Sequence, residues 1–451
     1  MNKKTKPDTA DGAHSRWSGP PVGLFWDQSL VWGLICLETL QTLGVPCHLL
    51  SAADIAVGCL DRYRTLVVPG GWASHKMRVL GEEGKNRIKD FIERGGSYLG
   101  FCGGAGLALS SPPALGLVPL ERLSFSERLP NASGEIWVKG AADHPAWQGL
   151  PALLPVSIWW PSQFRWQPLP DAVCLAAYEA TGTDFQVADV PVADLEDHDI
   201  SWEEWEKIYG INLNPRRLLG HPAIIEVRSG MGSLVLSYPH LETPEDRWGN
   251  RLFSNLLNYL DGRASRFLPS KTLGENPANP HDTACDIPPG SKSLERLMNA
   301  LNLADDLIRF GERHLLWRWR NPWLLHWRRG IRGLEYGTLA VSLRSVVARA
   351  RELAADFEAG PLDPWLEPSI RLEADVRMFC RLAQRLLLEE KLATQSGRLK
   401  KLGTVNDTVD QLRARLFGNK MNYGGLCGML FDRLDEFLLH VLRRRAPAML
   451  P

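Results

Sequence analysis

Apolar positions in the first part of the chain come in short blocks divided by amphipathic stretches. Val22 to Asp27 is such a block, and residues 30–44 follow with helical spacing that stops at Gly44. Cys47 to Leu50 and Thr65 to Gly71 are two more blocks, the second ending in a glycine turn. Residues 79–94 place apolar side chains on one helical face, with Gly95-Gly96 at the C-terminal end. Ser97 to Phe101 is a fourth apolar block, followed at once by Cys102-Gly-Gly-Ala-Gly. Strand, helix, strand, helix in this order predicts a parallel sheet covered on both faces.

The pattern then changes. Residues 115–125, 135–139, 158–160 and 173–178 are strand candidates with little helix between them, which predicts an antiparallel extension. Residues 181–219 form an insert, acidic from Asp184 to Glu206 and carrying Trp202 and Trp205. It reads as a solvated surface loop, with a lid over an active site as the other reading. Residues 223–228 and 233–237 form a hairpin around Gly230-Met-Gly232, and a helix over 245–261 closes the unit.

Residues 263–292 are rich in Pro, Gly, Ser and Asn and read as a linker. Beyond them the strand patterns stop. Residues 293–311, 334–357, 369–396, 398–417 and 426–443 each put apolar positions on one helical face, so 293–445 is expected to be an α-helical bundle. The chain thus divides into a polar tail at 1–19, an α/β unit at 20–262, the linker, and the bundle. The α/β unit is expected to fold alone, because its strands and turns all precede the linker.

Composition adjusts this picture in three respects. The hydrophobic fraction of 44% and charged fraction of 23% are ordinary for a globular protein. Fifty-two basic and 52 acidic residues cancel, which argues against a nucleic-acid footprint. The eight cysteines are scattered with no CxxC pair, which fits free thiols in a reducing compartment better than a disulfide framework or a zinc site. The polar start has no signal-peptide pattern and no apolar run reaches roughly 18 residues, so a cytoplasmic protein is expected.

Gly100-Phe101-Cys102-Gly103-Gly104 has the G-x-C-x-G form of a nucleophile elbow. A turn that joins strand to helix this tightly needs small neighbours, and it lifts the nucleophile clear of the sheet. Downstream, Pro239-His240-Leu241-Glu242 follows a strand. An H-x-E tripeptide at a strand end can aim both side chains at one site: His240 takes the thiol proton and Glu242 orients the imidazole. Pro69-Gly70-Gly71 ends a neighbouring strand, and the N–H groups of Gly71 and Gly103 could converge on one developing oxyanion. No metal-ligand spacing stands out, and no cofactor is implied.

These motifs resemble the class I glutamine-amidotransferase-like superfamily, with the N-terminal domain of biotin-protein ligases as the nearest match within it. The resemblance is carried by VVPGGWAS (67–74), IKDFIERGGSYLGFCGGAGLA (88–108) and GMGSLVLSYPHLE (230–242), and it covers residues ~20–260. It implies a fold of class α/β: a flavodoxin-like doubly wound parallel sheet with an antiparallel extension, followed here by an all-α bundle outside the resemblance. It implies a catalytic Cys102, His240 and Glu242, with Gly71 and Gly103 as oxyanion donors. The sequence departs from the family at Leu241, where proline is frequent, and at Ile158-Trp-Trp-Pro-Ser-Gln163, where a Gly-Gly-Pro stretch is common. The ligase module is missing.

One segment stands apart. Residues 315–332 gather Trp317, Trp319, Trp323 and Trp327 with Arg318, Arg320, Arg328, Arg329 and Arg332, and Pro322 divides the stretch. Such a mixture suits a membrane surface or an anionic partner protein, or else a corner between helices with Trp inside and Arg outside. Two functions are therefore expected. The first is a cysteine-dependent hydrolase of a small-molecule amide. The second is a non-catalytic small-molecule sensor or scaffold whose helical part meets a partner or membrane.

Overall fold

A computed structural model of the chain describes residues 17–268, 289–356, 363–396, 404–418 and 422–443. Most of the expected tail and linker lies outside them. The α/β unit opens with β1 (Val22–Phe25), α1 (Val31–Thr42), β2 (Cys47–Leu50), α2 (Ala52–Ala56), β3 (Thr65–Val68), α3 (Ala73–Glu93), β4 (Ser97–Phe101) and α4 (Gly103–Ala108). It continues through β5 (Glu121–Arg122), β6 (Ala132–Gly140), β7 (Leu153–Trp159), β8 (Phe164–Arg165), β9 (Ala172–Thr181), β10 (Gln186–Val187), β11 (Val190–Pro191), α5 (Val192–Glu196) and α6 (Trp202–Tyr209). It closes with β12 (Pro222–Ser229), β13 (Gly232–Ser237) and α7 (Arg247–Ala264). Then come α8 (Ser291–Arg313), β14 (Trp317–Trp319), β15 (Leu325–Trp327), α9 (Leu334–Asp356), α10 (Leu366–Gln395), α11 (Asp407–Phe417) and α12 (Gly425–Arg443).

The parallel part of the main sheet runs β2-β1-β3-β4-β13, and β12, β9 and β6 extend it antiparallel, with β7 and β10 on β6. The architecture is the expected one: flavodoxin-like α/β, an antiparallel extension, and a helical C-terminal region. Strands β1, β3 and β4 are buried at every position, because helices cover both faces, so their sequences are continuous apolar runs instead of alternating ones. On one face lie α1 and α7; on the other lie the buried side chains of α3 and α4, such as Ile88, Phe91, Ala105 and Leu107. Helix α1 buries almost its whole circumference, including Val31, Leu34, Ile35, Cys36 and Leu40. A helix apolar all round must be covered on both sides, and here α9 of the C-terminal region packs on the side away from the sheet.

Three elements differ from the sequence pattern. Of residues 115–125 only Glu121–Arg122 forms a strand, pairing with β8; Gly116 in a left-handed conformation and Pro119 break the rest into a loop, although Leu115, Val118 and Leu120 are still buried. The acidic insert is not a plain loop: β10 and β11 join the main sheet and α5 and α6 follow. The Trp/Arg segment does connect two helices, α8 and α9, with Trp317 buried and Arg318 exposed, but it has strand structure of its own. It forms an antiparallel hairpin in which Trp317 opposes Trp327 and Trp319 opposes Leu325, with Pro322 in the turn.

Candidate active site

Four parallel strands, β1, β3, β4 and β13, end side by side, and the residues just beyond them meet in the crevice where open α/β sheets place their sites. Cys102 follows β4 directly. Its backbone has φ 45° and ψ −102°, in the left-handed half of the map that a side chain rarely adopts. The turn is pinned on one side by the Cys102 N–H, which donates to the Ser237 carbonyl at 2.8 Å, and continued by Gly106 N–H on the Cys102 carbonyl at 2.9 Å. Glycine is obligatory at 103, since a Cβ there would stand 1.8 Å from the Gly71 carbonyl oxygen. Gly71 itself has φ 104° and is backed by the Gln28 carbonyl. The elbow and the β3 turn thus touch backbone to backbone. Among the described residues neither the Gly71 nor the Gly103 N–H donates to a backbone carbonyl outside the helices and strands.

His240 and Glu242 come off the end of β13, and both are fully buried. The imidazole Nδ1 and the Glu242 Oε1 are 2.7 Å apart. The loop that carries them is held at several points: His240 N–H donates to the Ser157 carbonyl at 2.8 Å, the Thr39 hydroxyl to the Glu242 carbonyl at 2.7 Å, and Asn250 Nδ2 to the Leu241 and Thr243 carbonyls at 2.8 Å each. Burial pushes the His240 imidazole towards neutrality, but the Glu242 carboxylate and the Cys102 thiol oppose this and hold its pKa up, at about 10. The Cys102 thiol lies near enough to favour the charged ring, while Nε2 makes no hydrogen bond of good geometry among the described residues. Such contacts tighten when substrate binds. The indole of Trp32 stacks on the imidazole, with centroids 4.2 Å apart and planes 26° apart, a further stabilisation of positive charge.

This arrangement has a pH consequence. In wild type the His240 ring keeps its proton throughout pH 6–8, because its pKa is raised well above the unfolded value near 6.5. Glu242→Gln removes the largest influence raising it, and burial then dominates, so the ring is expected to lose its proton at or below neutral pH. An NMR titration of the imidazole C2–H checks this: the charged-ring shift at pH 8 in both proteins contradicts it.

Three aromatic side chains that the motifs do not reveal also line this end of the sheet. Beyond Trp32, Trp160 follows β7 with φ 50°, again an unusual backbone for a bulky residue. Its ring stands 6.2 Å from Trp32 and 4.6 Å from Trp327 of the hairpin. The hairpin is fixed to the α/β unit by Arg320, which donates to the Ser133 hydroxyl and to Asp184, both at 2.8 Å, and covers the Trp159 ring. Arg329 lies over Tyr209 of the insert. Thus the insert and the Trp/Arg segment, two separate surface features in the sequence, pack against each other beside the site. The signal available in the sequence is Trp159-Trp160 itself, at the place where the family pattern is broken.

Residues 60–111 match the family described as "Biotin-protein ligase, N terminal". That range holds β3, α3, β4 and the elbow, and two of the three segments that carry the resemblance. No curated protein matches the chain. Among solved structures, PurLQS from Thermotoga maritima is 16% identical over 54% of this chain and 99% of its own, with a TM-score of 0.37. A glutamine amidotransferase from Thermotoga maritima is 15% identical over 53% and 98%, TM-score 0.31. A beta-galactosidase from Bacillus circulans sp. alkalophilus is 12% identical over 53% and 30%, TM-score 0.33.

Proposed function

We propose that the chain is a cysteine-dependent amide hydrolase of the glutamine-amidotransferase type. The observation that carries this reading is the strained Cys102 at a strand-to-helix elbow beside a buried His240 that is paired with Glu242 at 2.7 Å. The Cys102 sulfur attacks the amide carbonyl as a thiolate beside the charged His240 ring, which already carries the proton. The carbonyl electrons move onto oxygen, which accepts hydrogen bonds from the Gly71 and Gly103 N–H groups. As the tetrahedral species collapses, His240 Nε2–H passes its proton to the departing amine, leaving a thioester on Cys102. Water, deprotonated by the same imidazole, then attacks the thioester and releases the acid. Glu242 keeps Nδ1 protonated and Nε2 facing the reacting atoms throughout.

The test is a panel of primary and secondary amides against wild type and Cys102→Ala, read by ammonia or amine release and by intact mass. The expected result is turnover with wild type, an acyl adduct on Cys102 when the reaction is quenched in acid, and loss of both in the variant. The complete enclosure of His240 and Glu242 favours a second reading, a site that binds a small molecule without turning it over. Ligands that raise Tm equally in wild type and Cys102→Ala, with no adduct from any amide, would replace the first reading by the second.

A further inference from the structure

Arg128 lies in the loop between β5 and β6, close enough to Cys102 for the thiol to act on it electrostatically. One guanidinium nitrogen donates to the Pro161 carbonyl at 3.0 Å, and the group covers the Phe125 ring at 5.7 Å. Its Nε is buried and has no hydrogen-bond partner among the described residues. Nor does a carboxylate meet it among the described residues. The adjoining Glu127 is held by Arg165 at 2.6 Å, and the ionisable groups that act on Arg128 are Arg122, Tyr238 and Cys102. A largely buried guanidinium whose Nε has no hydrogen-bond partner and that no carboxylate meets among the described residues is poorly explained as part of the packing.

Two hydroxyls share its surroundings. Ser162 follows the strained Trp160 and Pro161, and Tyr238 stands two residues before His240, its ring 4.3 Å from Phe164. Each is buried, and neither hydroxyl makes a hydrogen bond of good geometry, although Ser162 is near enough to Tyr238 to influence it. The Cys102 thiol acts on Tyr238 as it does on Arg128. One cation with an unpartnered Nε and two buried hydroxyls without a hydrogen bond of good geometry therefore stand beside the nucleophile. They are the donor set that recognises a carboxylate.

We propose that Arg128, Ser162 and Tyr238 form a carboxylate-binding subsite next to Cys102, so that the amide attacked by the thiol carries a free carboxylate on its acyl side. The inference rests on the hydrolase reading for its substrate, but not for the binding of the anion. The subsite also discriminates among carboxylates. Among the described residues no carboxylate acts on Arg128, and Arg122 adds a second positive charge. A monoamide of a plain dicarboxylic acid fits this field, whereas an amino acid amide brings its own cation against it.

Two reagents that differ only in charge supply the test. Iodoacetate and iodoacetamide alkylate a thiolate by the same displacement: sulfur bonds to the methylene carbon and iodide leaves. In the full chain, the iodoacetate-to-iodoacetamide rate ratio at Cys102 is expected to exceed that at Cys174 by about tenfold, the effect of one favourable ion contact of ~1.4 kcal/mol. Arg128→Gln should bring the ratio down to the Cys174 value, and Arg128→Lys should keep most of it. An equal fall with both reagents would mean that Arg128 acts on the thiol, and it would overturn the subsite, as would an unchanged ratio. Glutarate, compared with neutral glutaramide, gives an arm independent of thiol reactivity and of any variant's folding. Glutarate should raise the Tm of wild type and slow alkylation of Cys102 by iodoacetamide, and glutaramide should do neither. If glutarate raises Tm while Cys102 is inert to both reagents, the subsite stands and the hydrolase reading falls. If glutarate has no effect, the subsite falls whatever the thiol does.

Discussion

Gly103→Ala is expected to cost about 4 kcal/mol or more and to abolish alkylation of Cys102, while Gly106→Ala, three residues on, is neutral or stabilising. An added methyl at 103 would stand 1.8 Å from the Gly71 carbonyl oxygen and 2.7 Å from its carbon. Both neighbours are backbone, so no side chain can rotate away. The β3 turn cannot retreat either, because a Cβ at Gly71 would already be 2.4 Å from the Gln28 carbonyl oxygen, which marks how closely the next segment follows. Overpacking of a core by flexible groups costs about 1–3 kcal/mol; three backbone segments in direct contact leave less room to relax, and the larger cost belongs to the few substitutions with no escape. At Gly106 the nearest atom to an added methyl is the Ala73 Cβ at 4.0 Å, and alanine is the better helix former by roughly 1 kcal/mol. Urea unfolding of the two variants beside wild type decides the matter. Equal midpoints for Gly103→Ala and Gly106→Ala would mean that the elbow does not rest on the β3 turn.

The contrast between these two glycines also marks what can be read from the sequence. Gly100-x-Cys102-x-Gly104 and His240-x-Glu242 are local patterns, and each sits at the end of a strand that its own apolar run makes visible. The parallel order, the hairpin around residues 230–232 and five helical stretches of the C-terminal region are legible for the same reason. Trp32, Trp160 and Trp327 are not, because they come together only through tertiary packing and no spacing links them. The Trp/Arg composition of 315–332 says that a surface is engaged without saying whose, and in the structure Trp317 is buried and Trp327 rests on the chain's own Trp160. Pro322 signals an interruption, and a hairpin turn is one of the interruptions it permits. Helix α1 carries a clue of another kind. It has no polar stripe apart from Glu38, Thr39 and the residues at its end, and a helix of that pattern calls for a second cover on the side away from the sheet.

That second cover leads to the other large effect: a chain ending at residue 268 is expected to aggregate, although every strand of the main sheet and every candidate catalytic residue precedes that point. The expectation from the sequence is that this unit folds alone. The packing favours the opposite outcome, since a single apolar core runs from the sheet through α1 into α9, α10 and α12. Removing the C-terminal region uncovers the outer side of α1, and each large apolar side chain returned to water costs ~1.5–3 kcal/mol. Polar groups are stranded as well. Gln28, in a left-handed conformation on the turn after β1, is held by its N–H on Asp435 at 3.0 Å, its Nε2 on Asp432 at 2.8 Å and its Oε1 under the Tyr423 hydroxyl at 2.9 Å. Trp26 Nε1 donates to the Asp435 carbonyl at 3.3 Å, and Arg443 reaches the Leu49 carbonyl and Asp54. Behind this turn the buried Lys76 donates to the Ser29 hydroxyl at 2.5 Å. Burial lowers the Lys76 pKa to about 7 and raises that of Asp435 to about 8, each opposed by the other's charge, so the truncation takes away an acid that this lysine faces. The same turn backs Gly71, whose N–H is a candidate oxyanion donor, so loosening it disorders the site along with the interface. The measurement is soluble yield and near-UV circular dichroism of residues 1–268 alone and on co-expression with residues 269–451, together with the alkylation rate of Cys102. Rescue by co-expression is the expected outcome. A monomeric 1–268 that unfolds cooperatively, with Cys102 as reactive as in the full chain, would show that the α/β unit needs no cover and that the C-terminal region is an appendage.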